Sequence, residues 1–431
     1  MSDAFILELI SKNNMDNDFI DVTNNTSIFN CNIIKKNKYT KGDLRYNPIG
    51  QINWGNTIRF NIEKDGDLLY GLYIIIKLPK LTIKNINNNL DENNPNENFR
   101  IKYSNYIGNV IIEKVSLYIN DLLIDEQTGD YMQHYIDLYM SDWNRKNMLN
   151  IVDNKPNIKI ESEYIYIPLK FWFCNEICKA LPIIALQYST IYIDVKIRKF
   201  SECIIILEKD NNILYHSNLK YLESPLEEIF LQAHYIYVEL EERKNLALKE
   251  YEILITQTQI KNITFSNKVN LDIDFKLIVK DLFFFIQPLI NKDNGEYFNF
   301  TNKLDYPLIE NKPINIELWK LLSYNHILKR ARILFNGLER IGWRDPKYFY
   351  YMQNHENYKN KLDTFVYLYS FNLEPSKYNN YSGCNFSKID NPQLQVELND
   401  NTNKLYELKC YATNFNILII KNGISYLKYL N

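Results

Sequence analysis

Residues 115–131 read Val-Ser-Leu-Tyr-Ile-Asn-Asp-Leu-Leu-Ile-Asp-Glu-Gln-Thr-Gly-Asp-Tyr, and residues 331–348 read Ala-Arg-Ile-Leu-Phe-Asn-Gly-Leu-Glu-Arg-Ile-Gly-Trp-Arg-Asp-Pro-Lys-Tyr. Each is an alternating strand, a two-residue Asn-Asp or Asn-Gly turn, a second short strand, and a polar turn into an aromatic. Asn-Asp and Asn-Gly suit a tight hairpin because both central residues must take positive φ. The copies lie about half the chain apart, much farther than a solenoid repeat. The stretch therefore predicts two β domains in tandem.

Working outward, period two dominates. Ile58-Arg59-Phe60-Asn61-Ile62 alternates, Asp65-Gly66-Asp67 turns, and Leu69 to Leu78 runs as a buried strand ended by Pro79. Residues 84–100 are Asn-rich and read as a loop. Tyr131, Tyr135, Leu138, Tyr139 and Trp143 have helical spacing and predict a short surface helix over 131–150. Ile165–Pro168 and Ile191–Ile197 are further strands. Residues 208–228, charged and containing Pro225, read as the linker. Leu240 to Ile255 then reads as a helix with Glu241 and Glu242 in its first turn, where they suit the macrodipole. Leu246, Tyr251 and Leu254 are expected to pack against a sheet.

The second half resumes the strand rhythm at Leu271–Leu277, Leu282–Ile286, Phe365–Leu373, Leu394–Leu398, Leu405–Ala412 and Phe415–Ile420. Tyr166–Ile197 also matches Tyr367–Leu398 in rhythm, which extends the duplication beyond the hairpins. Short strands with a turn signal roughly every ten residues predict a sandwich or barrel. Two sets predict an all-β chain of two tandem eight-stranded jelly rolls with short helices in connecting loops. The boundaries read as 1–215, with an N-terminal arm of about 1–45, and 225–431.

Composition narrows function by exclusion. The 431 residues suffice for two domains, and 46% hydrophobic with 24% charged is globular. A net charge of -2 gives no basic field for nucleic acid, and Lys35-Lys36-Asn37-Lys38 is too short to supply one. The six cysteines (31, 174, 178, 203, 384 and 410) offer one close pair, Cys174/Cys178, with no second pair to complete a zinc site. Scattered thiols read as buried and reduced. The sequons at Asn262, Asn299 and Asn385 are expected by chance in so Asn-rich a chain. Met1–Ile10 carries Asp3 and Glu8 and no basic run, so it does not read as a signal peptide. Leu282–Ile286, the most apolar run, is only strand length.

No motif carries catalysis. His134, His216, His234, His326 and His355 form no ligand spacing. Asp65 and Asp67 fit a turn, Glu241 and Glu242 an exposed helix start, and Phe171-Trp172-Phe173 core packing more than sugar stacking. No catalytic, cofactor-binding or metal residue is predicted, and no enzyme.

Ordered motifs then carry a resemblance. Phe60 to Pro79 contains Gly66-Asp67-Leu68 and ends Leu78-Pro79. Pro168-Leu169-Lys170-Phe171-Trp172-Phe173-Cys174 is followed by Ala180-Leu181-Pro182-Ile183-Ile184-Ala185-Leu186-Gln187-Tyr188. Glu241-Glu242-Arg243 precedes Tyr251, Leu254-Ile255, Gln257 and Gln259. Leu334 to Arg340, Arg344-Asp345, Ser370 to Pro375, Ser382 to Asp390 and Ala412 to Leu418 follow. Together these resemble the major capsid proteins of nucleocytoplasmic large DNA viruses, the double jelly-roll lineage.

The resemblance implies a structural protein that trimerises into a pseudo-hexagonal capsomer tiling an icosahedral shell. It implies self-contacts within and between capsomers, minor capsid and penton proteins as partners, and contact with an inner viral membrane through membrane-associated proteins. It implies no direct nucleic acid, residence in the virion, and assembly in host cytoplasm. Two other readings stay open on sequence. One is a same-fold assembly scaffold or minor capsid paralogue. The other is a β-sandwich glycan-binding protein or hydrolase.

Overall fold

The computed structural model describes residues 38–81, 99–140, 144–145, 147–148, 152, 163–208, 224–301, 326–358, 362, 364–375, 382–399 and 404–429. Cys31, the Lys35–Asn37 run, Trp143, His216, most of the expected arm, the 84–98 loop and the middle of the expected linker lie outside the described residues.

Strands β1 (Tyr39–Tyr46), β2 (Thr57–Ile62), β3 (Leu68–Leu78), β4 (Phe99–Tyr103), β5 (Ile112–Ile119) and β6 (Leu122–Thr128) open the fold. β7 (Glu163–Pro168), β8 (Leu181–Pro182), β9 (Ile191–Ile197), β10 (Ile204–Glu208) and β11 (Glu228–Val238) follow. Then come β12 (Tyr251–Phe265), β13 (Lys268–Asp272), β14 (Ile278–Pro288), β15 (Leu328–Phe335) and β16 (Leu338–Arg344). β17 (Tyr367–Ser370), β18 (Cys384–Asn385), β19 (Gln393–Leu398), β20 (Tyr406–Lys421) and β21 (Ile424–Leu427) close it.

Antiparallel sheets run β1-β11-β3-β7 and β2-β9-β5-β6 in the first half, and β12-β20-β14-β17 and β13-β19-β15-β16 in the second. These are the same path walked twice. Setting aside the short extra strands, each half pairs its first, eighth, third and sixth strands in one sheet and its second, seventh, fourth and fifth in the other. That is a jelly roll in each half. Even the two-residue strands repeat: β8 pairs with β3, and β18 with β14.

The hairpins that suggested duplication are β5–β6 and β15–β16, the fourth and fifth strands of each roll. Asn120 (φ 53°) and Asp121 (φ 60°) turn the first, and Asn336 (φ 53°) and Gly337 (φ 78°) the second. Positive φ at both central positions gives the twist that keeps strand partners in register.

Alternation sorts side chains between core and solvent, as in β2, where Ile58, Phe60 and Ile62 are buried. The first core is mostly Ile, Leu and Val, with the Phe171–Phe173 run closing it. The second is much richer in Phe and Tyr than the first.

Four expectations change. β11 hydrogen-bonds along β1 and β3, so 228–238 joins the first roll's sheet although it follows the expected break at 215–225. The expected helix 240–255 stops at Leu248, because the β-branched, alternating run from Tyr251 pairs with β20 for 15 residues. The strands expected at 405–412 and 415–420 are one, β20, because Asn414 continues the ladder and accepts from Gln259 Nε2 at 2.8 Å. The helix expected over 131–150 is Gly129–Tyr139, and it is buried rather than on the surface, covered by the second roll. Among the described residues no helix is long and apolar enough to cross a membrane.

Candidate functional site

The residues considered for chemistry do not converge. Phe171, Trp172 and Phe173 are at most 1% exposed in the first core, with Phe171 stacked on Phe173 and Trp172 edge-on to it, out of reach of a sugar. Glu241 is exposed and Glu242 half-exposed in the first turn of Leu240–Leu248. Asp65 stays in its turn and accepts from the Tyr46 hydroxyl at 3.0 Å. Asp67 is different: buried, it accepts the Val238 N–H at 2.9 Å and lies 2.7 Å from Arg243 Nε. A turn aspartate thus ties β3 to the helix between the rolls. Among the described residues, no group of three or more His, Cys, Asp or Glu side chains could hold a metal.

What the fold does concentrate is polar chemistry at the junction between rolls. The carboxylate of Asp130 meets Lys409 Nζ at 2.6 Å, and both side chains are buried. Burial pushes the Asp130 carboxyl up, but Lys409 and Arg198 outweigh it and hold the group below its ordinary value. Burial likewise disfavours charge on Lys409, and Asp130 with Tyr297 more than reverses this. The Arg198 guanidinium lies 4.1 Å from the centre of the Tyr297 ring, another first-to-second-roll contact.

Around this pair the rolls are pinned by further bonds. Asp125 accepts from Thr258 N–H and Gln127 Nε2, both at 2.8 Å. Burial raises its carboxyl to about 7 against those bonds. The Thr128 and Tyr411 hydroxyls share a bond of 2.7 Å, and Ser104 Oγ donates to Gly295 O at 2.7 Å. Asp281 accepts from the hydroxyls of Tyr139 and, at 2.8 Å, Tyr358. Tyr131, Phe283 and Tyr411 stack across the same boundary, with Phe283 and Tyr411 4.9 Å apart and 8° from parallel. This arrangement fixes one roll against the other. Sequence reading missed it because the partners lie far apart in the chain and each looks ordinary alone.

The outward strands contrast with this. β1 is exposed at alternate and successive positions along a sheet edge, and β16 has no buried residue. Leu338 is 75% exposed, and Arg330 and Arg332 flank the Trp343 ring at 4.5 and 4.7 Å.

Comparison with known proteins agrees with the doubled fold. Residues 27–239 match a family described as major capsid protein N-terminus, and residues 242–425 one described as large eukaryotic DNA virus major capsid protein. The two matches meet where β11 ends and the connecting helix begins. The chain is 23% identical to a major capsid protein of Phaeocystis pouchetii virus, over 89% of this chain and 91% of that one. It is 24% identical to the major capsid protein of Paramecium bursaria Chlorella virus 1, over 89% of each. In structure it is similar to a chain of the PBCV-1 virus capsid (TM-score 0.75, 22% identity, 94% of this chain and all of that one). It is also similar to the Faustovirus major capsid protein (TM-score 0.70, 12% identity, 97% and 96% covered).

Proposed function

Because the chain belongs to the major capsid protein family of large eukaryotic DNA viruses, we propose that its two rolls act as near-equivalent blocks, so that three copies close around a threefold axis into a pseudo-hexagonal capsomer. The protein is a structural component of a viral capsid, associates with itself there, and resides in the virion. Its relatives carry capsid names, not those of enzymes, lectins or scaffolds.

The observation that carries the trimer reading is the identical strand path of the two halves. Within one chain, the fifth-strand side of the first roll (β6 and Gly129–Tyr139) packs on the first strand of the second, β12. If the rolls are equivalent, the fifth-strand side of the second roll, β16, has a matching site on another copy's first strand, β1. Both β16 and β1 are exposed in a single chain, which supports a heterologous contact that closes into a ring. We place the rolls at 39–238 and 251–429, joined by Leu240–Leu248.

Finer features belong to the same proposal: minor capsid and penton partners, contact with an inner membrane through membrane-associated proteins, tiling of an icosahedral shell, and assembly in host cytoplasm. Cross-linking of purified virions tests the partners. For the trimer, native mass measurement with negative-stain imaging should show a threefold particle of three times the 51.5 kDa chain mass. A clean monomer at high concentration would count decisively against it.

A further inference from the structure

The motif Pro168-Leu169-Lys170-Phe171-Trp172-Phe173 does more than close a core. Leu169 and Phe171 are buried in the first roll, and the Leu169 N–H bonds to Leu72 O at 3.0 Å. The backbone of Lys170 is therefore fixed on both sides. Its side chain lines a cleft of about 480 Å³ between the rolls. The volume lies within the range of small-ligand sites.

Lys170 is only 4% exposed, yet it has no hydrogen bond and no carboxylate partner among the described residues. Its ammonium lies 5.9 Å from the centre of the Tyr135 ring, and Cys174 is the one side chain that acts on its charge. Burial pushes this ammonium down to about 8. A buried cation without a counter-charge is a standing cost to the fold.

The rest of the lining has the same sign. Lys179 and Lys280 also face the cleft, and the only carboxylate on its wall among the described residues is Glu176. Lys280 lies 3.9 Å from Asp281, whose carboxylate is already engaged by the Tyr139 and Tyr358 hydroxyls. Beside the lysines, Tyr131, Tyr135 and Tyr139 fall four residues apart on one face of Gly129–Tyr139, with the Lys280 ammonium 4.4 Å from the centre of the Tyr139 ring. The Tyr135 and Tyr139 rings are 4.7 Å apart. Tyr70 and Tyr73 add aromatic surface from β3. The wall thus combines an unneutralised cation, further positive charge and flat apolar surface.

We propose that the cleft between the rolls binds a small organic anion, its charged head on Lys170 and its apolar body against Tyr135 and Tyr139. This does not depend on the capsomer reading.

The test uses the full chain and three probes at constant ionic strength: 2-naphthoate (charge and body), 2-naphthalenemethanol (body alone) and sulfate (charge alone). Calorimetry should show saturable naphthoate binding, with the alcohol and sulfate at least tenfold weaker. Lys170→Met should weaken naphthoate at least tenfold, and Lys170→Arg should retain it. Without a probe, Lys170→Met should melt above the parent while losing the naphthoate-dependent rise in Tm. The proposal fails if naphthoate does not saturate in the millimolar range, or binds K170M as well as the parent. It fails equally if sulfate or the alcohol matches naphthoate, or if K170M melts below the parent, since Lys170 would then be a structural group.

Discussion

β6 and β16 are the same strand of two copies of one fold, each entered through a positive-φ Asn turn and followed by a helical segment. After β6 the helix Gly129–Tyr139 is buried along most of its length. After β16 the segments Tyr348–Met352 and Gln353–Asn357 leave Tyr351 45% and Met352 49% exposed. The local design is shared; the neighbours differ. The β6 side of the first roll has the second roll beside it on the same chain, whereas the β16 side of the second roll has no buried residue among the described residues. Burial at equivalent positions is therefore set by what the chain supplies next, and the exposed copy marks where another molecule is expected.

The largest way to break this contrast is at the buried junction. Lys409→Ala should cost about 3–5 kcal/mol, because it strands the Asp130 carboxylate in a site with little water. The Asp130→Asn/Lys409→Met double variant should recover much of that loss. Chemical denaturation of the parent and the two variants measures both. A cost below about 1 kcal/mol for K409A would mean that water reaches the pair and that the junction is not dry.

One substitution on each of the two strands comes next. Ile124 of β6 is 2% exposed, so Ile124→Asp should destabilise the chain by about 3 kcal/mol or more by burying an unpaired carboxyl. Leu338→Glu, on β16, should change monomer stability by no more than about 0.5 kcal/mol. It should nonetheless lower the fraction of trimer seen by native mass measurement. An L338E protein that trimerises as the parent does would remove β16 from the proposed contact.

Much of this was legible in sequence, and for a physical reason. Hairpin turns demand particular residues, so Asn120-Asp121 and Asn336-Gly337 announced themselves. Strands with one wet face alternate, so β2, β9 and β19 could be read directly. What sequence could not show was the identity of long-range neighbours. Tyr131, Tyr135 and Tyr139 declare an apolar helix face but not what covers it. Asp67 looks like any turn aspartate until Arg243 folds over it. The run 240–255 holds strong helix formers, and only pairing with β20 decides that Tyr251 begins a strand. The linker misled for the same reason: a loop before β11 looks identical whether that strand closes the first sheet or opens the second.

A pH effect sharpens the junction further. Burial raises Asp125 to about 7 in the folded chain, against the ordinary carboxyl value near 4 when unfolded. Between those values the folded state holds the proton more tightly. The group's favourable contribution is thus complete at low pH and is lost as pH rises to about 7. His134, lowered to about 4 by burial, acts in the opposite sense, losing stability as pH falls from about 6.5. The two are separated by Asp125→Asn. Its stability relative to the parent should rise across pH 4–7 and level off above. A flat difference curve would show that Asp125 keeps an ordinary pKa.

The smallest effects test the turns that began the comparison. Gly337 has φ 78° with open space where a Cβ would go, so Gly337→Ala meets backbone strain without a clash. It should cost about 1 kcal/mol. At the matching place, Asp121 already bears a Cβ at φ 60° and accepts the Tyr192 hydroxyl at 2.9 Å. Asp121→Gly relieves the strain but removes that acceptor, and the two should nearly cancel, leaving a change within about 0.5 kcal/mol. Thermal unfolding of both variants distinguishes the alternatives. If D121G were as damaging as G337A, the Tyr192 bond would outweigh the turn geometry. The first hairpin would then depend chiefly on its neighbour in β9, and the second on the glycine in its turn.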